Sequence, residues 1–288
     1  MNRPIGIFYA YWVKDWDVDF LPFIDRAKKL GFDQLEVKPE ILAEKPLAYR
    51  LKLKEKADKA GIILSYCMCL LKKYDVSSPD EKVRLRGIAY AKKVIKAIGE
   101  MGGGTISGPI HNYATCTDPR DKINKKLSFK QSVKSMKEMV VFAKDHGVAL
   151  NVENLNRCEH FLINTAEEAV EYVKAVNNPI CNILLDTYHM NCEEDSIGDA
   201  IRCAGKHLRH FHLGEANRKP PGMGRMPWKE IKKALDDINY TGPLVMEPFI
   251  LQGGEIGPAL GVWRELVKKP NLDALAEQAV AFVRENLR

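Results

Sequence analysis

Ile183-Leu184-Leu185-Asp186, running on into Thr187-Tyr188-His189-Met190-Asn191, is a short apolar run that stops on a carboxylate and opens into polar residues. Three other stretches are built in the same way: Asn151-Val152-Glu153, His210-Phe211-His212 and Leu244-Val245-Met246-Glu247. Their terminal residues, Glu153, Asp186, His212 and Glu247, are spaced by 33, 26 and 35 positions, close to one strand-plus-helix unit. In a parallel barrel, strand ends one unit apart in sequence become neighbours around one rim. Three carboxylates and an imidazole converging there make a hard-leaning divalent site, suited to Mn, Mg or Co more than to a thiolate-binding metal. A buried carboxylate trio without a cation would be costly. A metal-dependent enzyme is therefore the leading reading.

Outward from these four runs the same alternation continues. Strands are expected at Ile5–Tyr11, Gln34–Lys38, Ile62–Cys67, Thr105–Gly108, Ala149–Glu153, Asn182–Asp186, Leu208–Leu213 and Pro243–Glu247. Their cores are short, apolar and β-branched or aromatic, as strands buried on both faces should be. Helix starts are legible at Ser78-Pro79-Asp80-Glu81 and at the capping box Thr165-Ala166-Glu167-Glu168. Gly31, Gly61 and Gly147 each stand between a helix and a strand, the usual stop signal. Eight alternations without a Pro/Gly/Ser linker predict an α/β fold, one (β/α)8 TIM barrel over residues 1–288. An open doubly wound sheet is disfavoured because no glycine-rich dinucleotide turn follows the first strand. Gly102-Gly103-Gly104 leads into a strand and reads as a turn.

Composition narrows the class. Apolar residues are 45% and charged residues 28% of the chain, ordinary for a soluble protein. No apolar run approaches the roughly 20 residues that span a bilayer, and Met1-Asn2-Arg3-Pro4-Ile5-Gly6 shows no signal-peptide core. Seven cysteines, an odd number, argue against a disulfide framework. The expectation is a cytoplasmic protein without a membrane partner. Cys67 and Cys69 lack a second pair at zinc spacing and read as packing residues. The net charge of +6 arises from 44 basic and 38 acidic residues that are interleaved, without the basic-aromatic platforms a nucleic acid would need. No nucleic-acid partner is expected.

The loops beyond the four terminal residues are polar and hydrogen-bond rich, which suits a small polyol or carbohydrate. They bring Glu159, His189 and Arg218 close in sequence to the metal candidates. His210 is assigned to the helical layer, facing away from His212.

Four segments then carry a resemblance. Val152-Glu153-Asn154-Leu155-Asn156-Arg157-Cys158-Glu159, Leu185-Asp186-Thr187-Tyr188-His189-Met190-Asn191, His210-Phe211-His212-Leu213-Gly214-Glu215-Ala216-Asn217-Arg218 and Val245-Met246-Glu247-Pro248-Phe249 resemble the signature segments of the ketose 3-epimerases. That is the D-tagatose 3-epimerase and D-psicose (D-allulose) 3-epimerase family. The resemblance extends to Ile7-Phe8-Tyr9-Ala10-Tyr11-Trp12 and to the stretch from Gly253 to Arg264. It implies a xylose-isomerase-like barrel that binds one Mn or Co, with Mg as a weaker substitute. The implied ligands are Glu153, Asp186, His212 and Glu247. Glu153 and Glu247 would also be the acid/base pair, and Glu159, His189 and Arg218 the substrate-orienting residues. Free ketohexoses and pentuloses would be the substrates, and a homodimer or homotetramer the assembly. Phe8, Trp16, Met68, Ala114 and Phe249 are expected to meet the rest of the sugar.

The chain departs from the family at Cys67-Met68-Cys69-Leu70-Leu71, where a glycine-rich stretch is common, and at Ala114, where several members carry Trp. Met68 and Leu70 are expected to narrow the pocket and Ala114 to widen it. Within enzymes, an aldose–ketose isomerase or inosose dehydratase of the same superfamily is the competing reading. An endonuclease IV-like phosphodiesterase would want more metals and more His ligands. A catalytically silent sugar-binding barrel would not need two opposed acids.

Overall fold

Ile5–Phe8 (β1), Gln34–Val37 (β2), Ile63–Cys67 (β3), Gly104–Gly108 (β4), Val148–Glu153 (β5), Cys181–Asp186 (β6), Leu208–Leu213 (β7) and Leu244–Met246 (β8) pair in sequence order into a closed parallel barrel. The computed structural model describes residues 3–114, 118 and 122–288. β8 closes the ring on β1 through Ile5↔Leu244, Gly6↔Val245 and Ile7↔Met246, and Leu244 N donates to Pro4 O (2.8 Å) just below. Around the barrel run Leu21–Lys29 (α1), Pro39–Glu44 (α2), Leu47–Ala60 (α3), Glu81–Gly99 (α4), Lys125–Asp145 (α5), Ala166–Val176 (α6), Thr187–Glu193 (α7), Ile197–Ala204 (α8), Trp228–Asp237 (α9), Ile256–Ala259 (α10) and Leu272–Leu287 (α11). The apolar faces of these helices and the outward side chains of the strands make one continuous core.

Most sequence signals act as expected, but the long helix expected to start at Ser78 begins two residues later. Asp80 caps α4, its side chain accepting from Lys82 N (2.8 Å) and Val83 N (3.5 Å). Such a cap contributes about 1 kcal/mol. Thr165 Oγ1 caps α6 by accepting from Glu168 N, while Glu168 Oε2 reaches one residue beyond the box to take the Asn164 N–H. Gly31, Gly61 and Gly147 have φ of 87°, 67° and 66°, the left-handed turn that ends a helix. Gly103 is tighter still, because a Cβ there would lie 2.3 Å from Gly147 O.

Two expectations need correction. β1 stops at Phe8, and Tyr9–Trp12 turn into a single 3-10 helix. Tyr9 packs edge-on to Phe20 and donates its hydroxyl to Trp16 O (2.7 Å), which folds the chain inward over the barrel mouth. His210 faces the lumen, not the helices: residues i and i+2 of a strand share a face. It is buried beside His212, ring centroids 5.0 Å apart, and both imidazoles meet Glu36.

The lumen beneath the rim is polar. Gln34 Nε2 donates to Ser65 Oγ (2.6 Å), Ser65 Oγ donates to Glu36 Oε2 (3.0 Å), and Glu36 Oε1 pairs with His212 Nε2 (2.7 Å). Across the lumen Asn151 Nδ2 donates to Ser107 Oγ (3.0 Å). Among the described residues no helix is long and apolar enough to cross a membrane. The six described cysteines are free, and Cys116 lies outside the described residues.

Candidate active site

The ends of β5 to β8 deliver the four expected metal ligands to one place. Ligand atoms of Glu153, Asp186 and His212 lie within 4.8 Å of one another, all three residues buried. Glu247, one residue past β8, brings Oε2 to 3.6 Å from His212 Nδ1, while Glu153 Oε1 is 3.9 Å from the same nitrogen. That nitrogen is buried and has no hydrogen-bond partner.

The reason is across the barrel. Burial would push the Glu36 carboxyl up, but His210 and His212 hold it well below the usual carboxylate range. Glu36, an ionised acceptor, orients His212 through Nε2. With no cation bound, and against burial, Glu247 and Glu36 hold the imidazole well above its ordinary value, which favours a proton on Nδ1 that a bound cation would displace. A neutral imidazole held by a carboxylate behind it is the usual support of a metal-ligating histidine. Three carboxylates and a buried imidazole nitrogen aimed at them therefore fit a divalent cation with oxygen-leaning preference. The same buried cluster without a cation leaves Glu153 raised well above its ordinary value by burial, with Glu247 and Asp186 adding to the rise. Burial likewise raises Asp186. Glu247 runs the other way: burial opposes it, but His212 and Arg218 bring it below its ordinary value.

Arg218, His189 and Glu159 close over these groups. Arg218 Nη1 lies 2.9 Å from Asp186 Oδ2 and 3.1 Å from Glu247 Oε2, and its guanidinium stacks 3.8 Å over the Tyr188 ring. Its φ of 60° is unusual for a residue with a Cβ. The loop compels it, since Arg218 N donates to Glu215 O and Arg218 O accepts from Phe249 N (both 2.9 Å). Strain of this kind, about 1–3 kcal/mol, collects where function demands a fixed side chain. Glu215, absent from the expected site, is fully buried and organises the β7 loop. It accepts from Gly222 N (2.8 Å), Met226 N (3.0 Å) and the Trp228 indole (3.0 Å).

His189 Nδ1 accepts from Asn156 N (3.1 Å) and Asn156 Nδ2 (2.8 Å), which places its proton on Nε2. Nε2 points at Glu153 Oε1 (3.8 Å) and Asp186 Oδ2 (3.7 Å). Burial, then Arg218, keeps this histidine well below its ordinary pKa, so it is a neutral donor. Asn156 also donates to Glu159 Oε1 (2.9 Å), whose carboxyl burial pushes up. No pattern in the sequence singled out Asn156, although it stands in the quoted segment.

Above the cluster opens a cavity of about 410 Å³. Phe8, Trp16, Ala114 and Phe249 line it, as do Glu153, Glu159, His189, Arg218 and Glu247. Met68 does not. It is buried in the apolar core, and the strand alternation sends Cys67 and Cys69 to the cavity instead, with Leu70 and Leu71 beyond them. Cys67 and Cys69 are thus wall residues of the site rather than packing alone.

A family model described as xylose isomerase-like TIM barrel matches residues 24–285. The D-psicose 3-epimerase of Agrobacterium fabrum is 42% identical over 282 residues, 97% of each chain. That of Ruminiclostridium cellulolyticum is 41% identical, over 97% of this chain and 96% of its own. The chain belongs to the ketose 3-epimerase family. This family member is an enzyme of the isomerase class. Its fold superposes on the solved D-psicose 3-epimerase with D-tagatose from Clostridium cellulolyticum H10 with a TM-score of 0.96, 40% identity and 99% coverage of both chains.

In this epimerase the loop carrying Glu159 contains an acid-sensitive lock. His160 Nδ1 accepts from Asn112 Nδ2 (2.5 Å) and Leu162 N (3.2 Å), and its pKa is lowered to about 4, chiefly by burial. Protonation there would turn an acceptor with two donors into a third donor. Because the folded value lies below the ordinary one, near 6.5, this contribution to stability is full above about pH 6.5 and is lost as pH falls toward 4. The melting temperature should therefore drop across that window, and drop less steeply in His160→Asn. A parallel fall in both proteins would assign the acid sensitivity elsewhere.

Proposed function

We propose that the protein epimerises free ketoses at C3, with one divalent ion, Mn or Co and less effectively Mg, held by Glu153, Asp186, His212 and Glu247. The observation that carries the reading is the pair of glutamates from β5 and β8, each within 4 Å of His212 Nδ1. They are roofed by a guanidinium and a neutral imidazole donor. The relatives' names, D-psicose, L-ribulose and ketose 3-epimerase, support the same reading.

A proton on carbon beside a carbonyl is too weakly acidic for a carboxylate to remove unaided. The bound cation would act as a Lewis acid on the negative charge that the substrate oxygens gain as that proton leaves. The chain's own residues do the rest. Arg218 and the Nε2–H of His189 hold O1 and O2, which fixes the reacting carbon between the acids. Glu153 and Glu247 face the reacting carbon from opposite sides: one carboxylate takes the C3 proton while the other, transiently protonated, returns one on the opposite face. The reverse reaction exchanges the two roles. Strands β5 and β8 are three apart around an eight-stranded ring, so their side chains reach the two faces of a planar intermediate. Neighbouring strands could not.

Turnover of D-fructose, D-tagatose and L-ribulose in deuterated water with Mn or Co added tests this. One deuterium at C3 of the product is expected. Label at C1 or C2 would favour the aldose–ketose isomerase reading, and no exchange at all a binding barrel.

A further inference from the structure

Opposite the catalytic strands the cavity carries a charged pair that the chemistry above does not use. Lys38 and Glu40 follow β2, which lies across the barrel from β6, and both line the cavity. Lys38 Nζ is 3.1 Å from Glu40 Oε1, and the two side chains are only 14% and 11% exposed. Nζ also sits 4.8 Å over the Trp16 ring, so its stem and head are fixed from two sides. Glu40 Oε1 accepts from Cys69 N (2.9 Å) as well, which ties the pair to the β3 wall. The other oxygen, Glu40 Oε2, is buried with no hydrogen-bond partner. A buried carboxylate oxygen left bare is costly, and since Glu40 belongs to the wall of a ligand cavity, the missing donor points to one that arrives with the ligand.

Direction follows from the fold. Arg218, His189 and Glu159 grip one end of the sugar on the β5–β7 side, and the acids flank the reacting carbon. The remaining carbons must extend toward β1, β2 and β3, where Phe8, Trp16, Lys38 and Cys69 stand. There Lys38 has protons to give and Glu40 Oε2 a lone pair to fill, and a hydroxyl group satisfies both at once. The charges of the pair cancel. An anionic terminus such as a phosphate would face the bare Glu40 oxygen and compete with Glu40 for Lys38.

We propose that Lys38 and Glu40 form a neutral polar subsite that hydrogen-bonds the terminal hydroxyls of the ketose, favouring free six-carbon ketoses over five-carbon or phosphorylated ones. The subsite rests on the ketose reading above. It also makes the far end of the pocket more than an apolar slot, and it selects by chain length and charge without touching C3.

The test compares wild type, Lys38→Met and Glu40→Gln, each loaded with Mn. Binding and turnover are measured with D-psicose, L-ribulose and D-fructose 6-phosphate. Wild type should bind D-psicose more tightly than either other sugar. Each variant should raise the D-psicose KM relative to that of L-ribulose by about tenfold, the worth of one charge-assisted hydrogen bond, with kcat changed far less. Equal increases for both free sugars would mean a merely structural pair and overturn the proposal, as would tighter binding of the phosphate. Glu40→Gln keeps the shape of the site, so the question stays open to refutation if Lys38→Met does not fold. If wild type binds D-psicose selectively but epimerises nothing, the epimerase reading fails while the subsite stands.

Discussion

Glu247→Gln is expected to leave ketose binding largely in place and to remove turnover, by on the order of 10²–10⁴-fold from the lost proton transfer alone. The carboxamide matches the carboxylate in shape. It cannot accept a proton from carbon, and it is a poor ligand for a hard cation. The groups that orient the sugar, Arg218, His189 and Glu159, are untouched. Removing the acid also frees Arg218 Nη1 from one of its two carboxylate partners, since Asp186 Oδ2 remains at 2.9 Å. The informative comparison is therefore kcat against the ketose dissociation constant, measured on protein whose melting temperature has been checked. Turnover within tenfold of wild type would refute the assignment of Glu247 as a base.

Stripping the divalent ion should have an effect of similar size, and a reversible one. Chelator-treated protein is expected to show no measurable epimerisation and to recover it on addition of Mn or Co, with Mg restoring less. It should remain folded without metal. Arg218 Nη1 bridges Asp186 Oδ2 and Glu247 Oε2, and Glu36 anchors His212 from behind, so the cluster keeps partial compensation of its charge. Refilling should raise stability by mass action, about 2.7 kcal/mol at a hundredfold excess over the dissociation constant. That gain appears as a melting temperature several degrees higher. Full activity in protein shown by elemental analysis to be metal-free would contradict the four-ligand centre.

Much of this architecture was legible because it is written in local pattern. Runs such as Ile183-Leu184-Leu185-Asp186 carry both the strand and its functional end, and glycines such as Gly61 and Gly147 mark the returns. The convergence of Glu153, Asp186, His212 and Glu247 follows from strand order once the barrel is assumed. What escaped notice depends on pairings across the ring. Glu36 is one acid in Gln34-Leu35-Glu36-Val37, and only a partner 176 residues away gives it meaning. His210 was legible in principle, since two-residue periodicity puts it on the face of His212. Its partner, Glu36, was not. Met68 and Cys69 differ by one position in a segment that leaves its strand at Cys67, and such an exit decides which side chain enters the cavity. Lys38 and Glu40 look like an ordinary solvated pair until the Trp16 loop is seen to bury them. Glu215 becomes a loop anchor only when the chain from Gly222 to Trp228 folds back upon it.

The relay from Gln34 through Ser65 and Glu36 to His212 has an evolutionary corollary. The imidazole is aimed from inside the staves, by β2 and β3, rather than by the loops around the mouth. Those segments can drift, shortening or recolouring the sugar's resting place, while the bearing of the coordinating nitrogen stays where the lumen sets it. Such separation of aim from fit lets one scaffold retune its diet without rebuilding its chemistry.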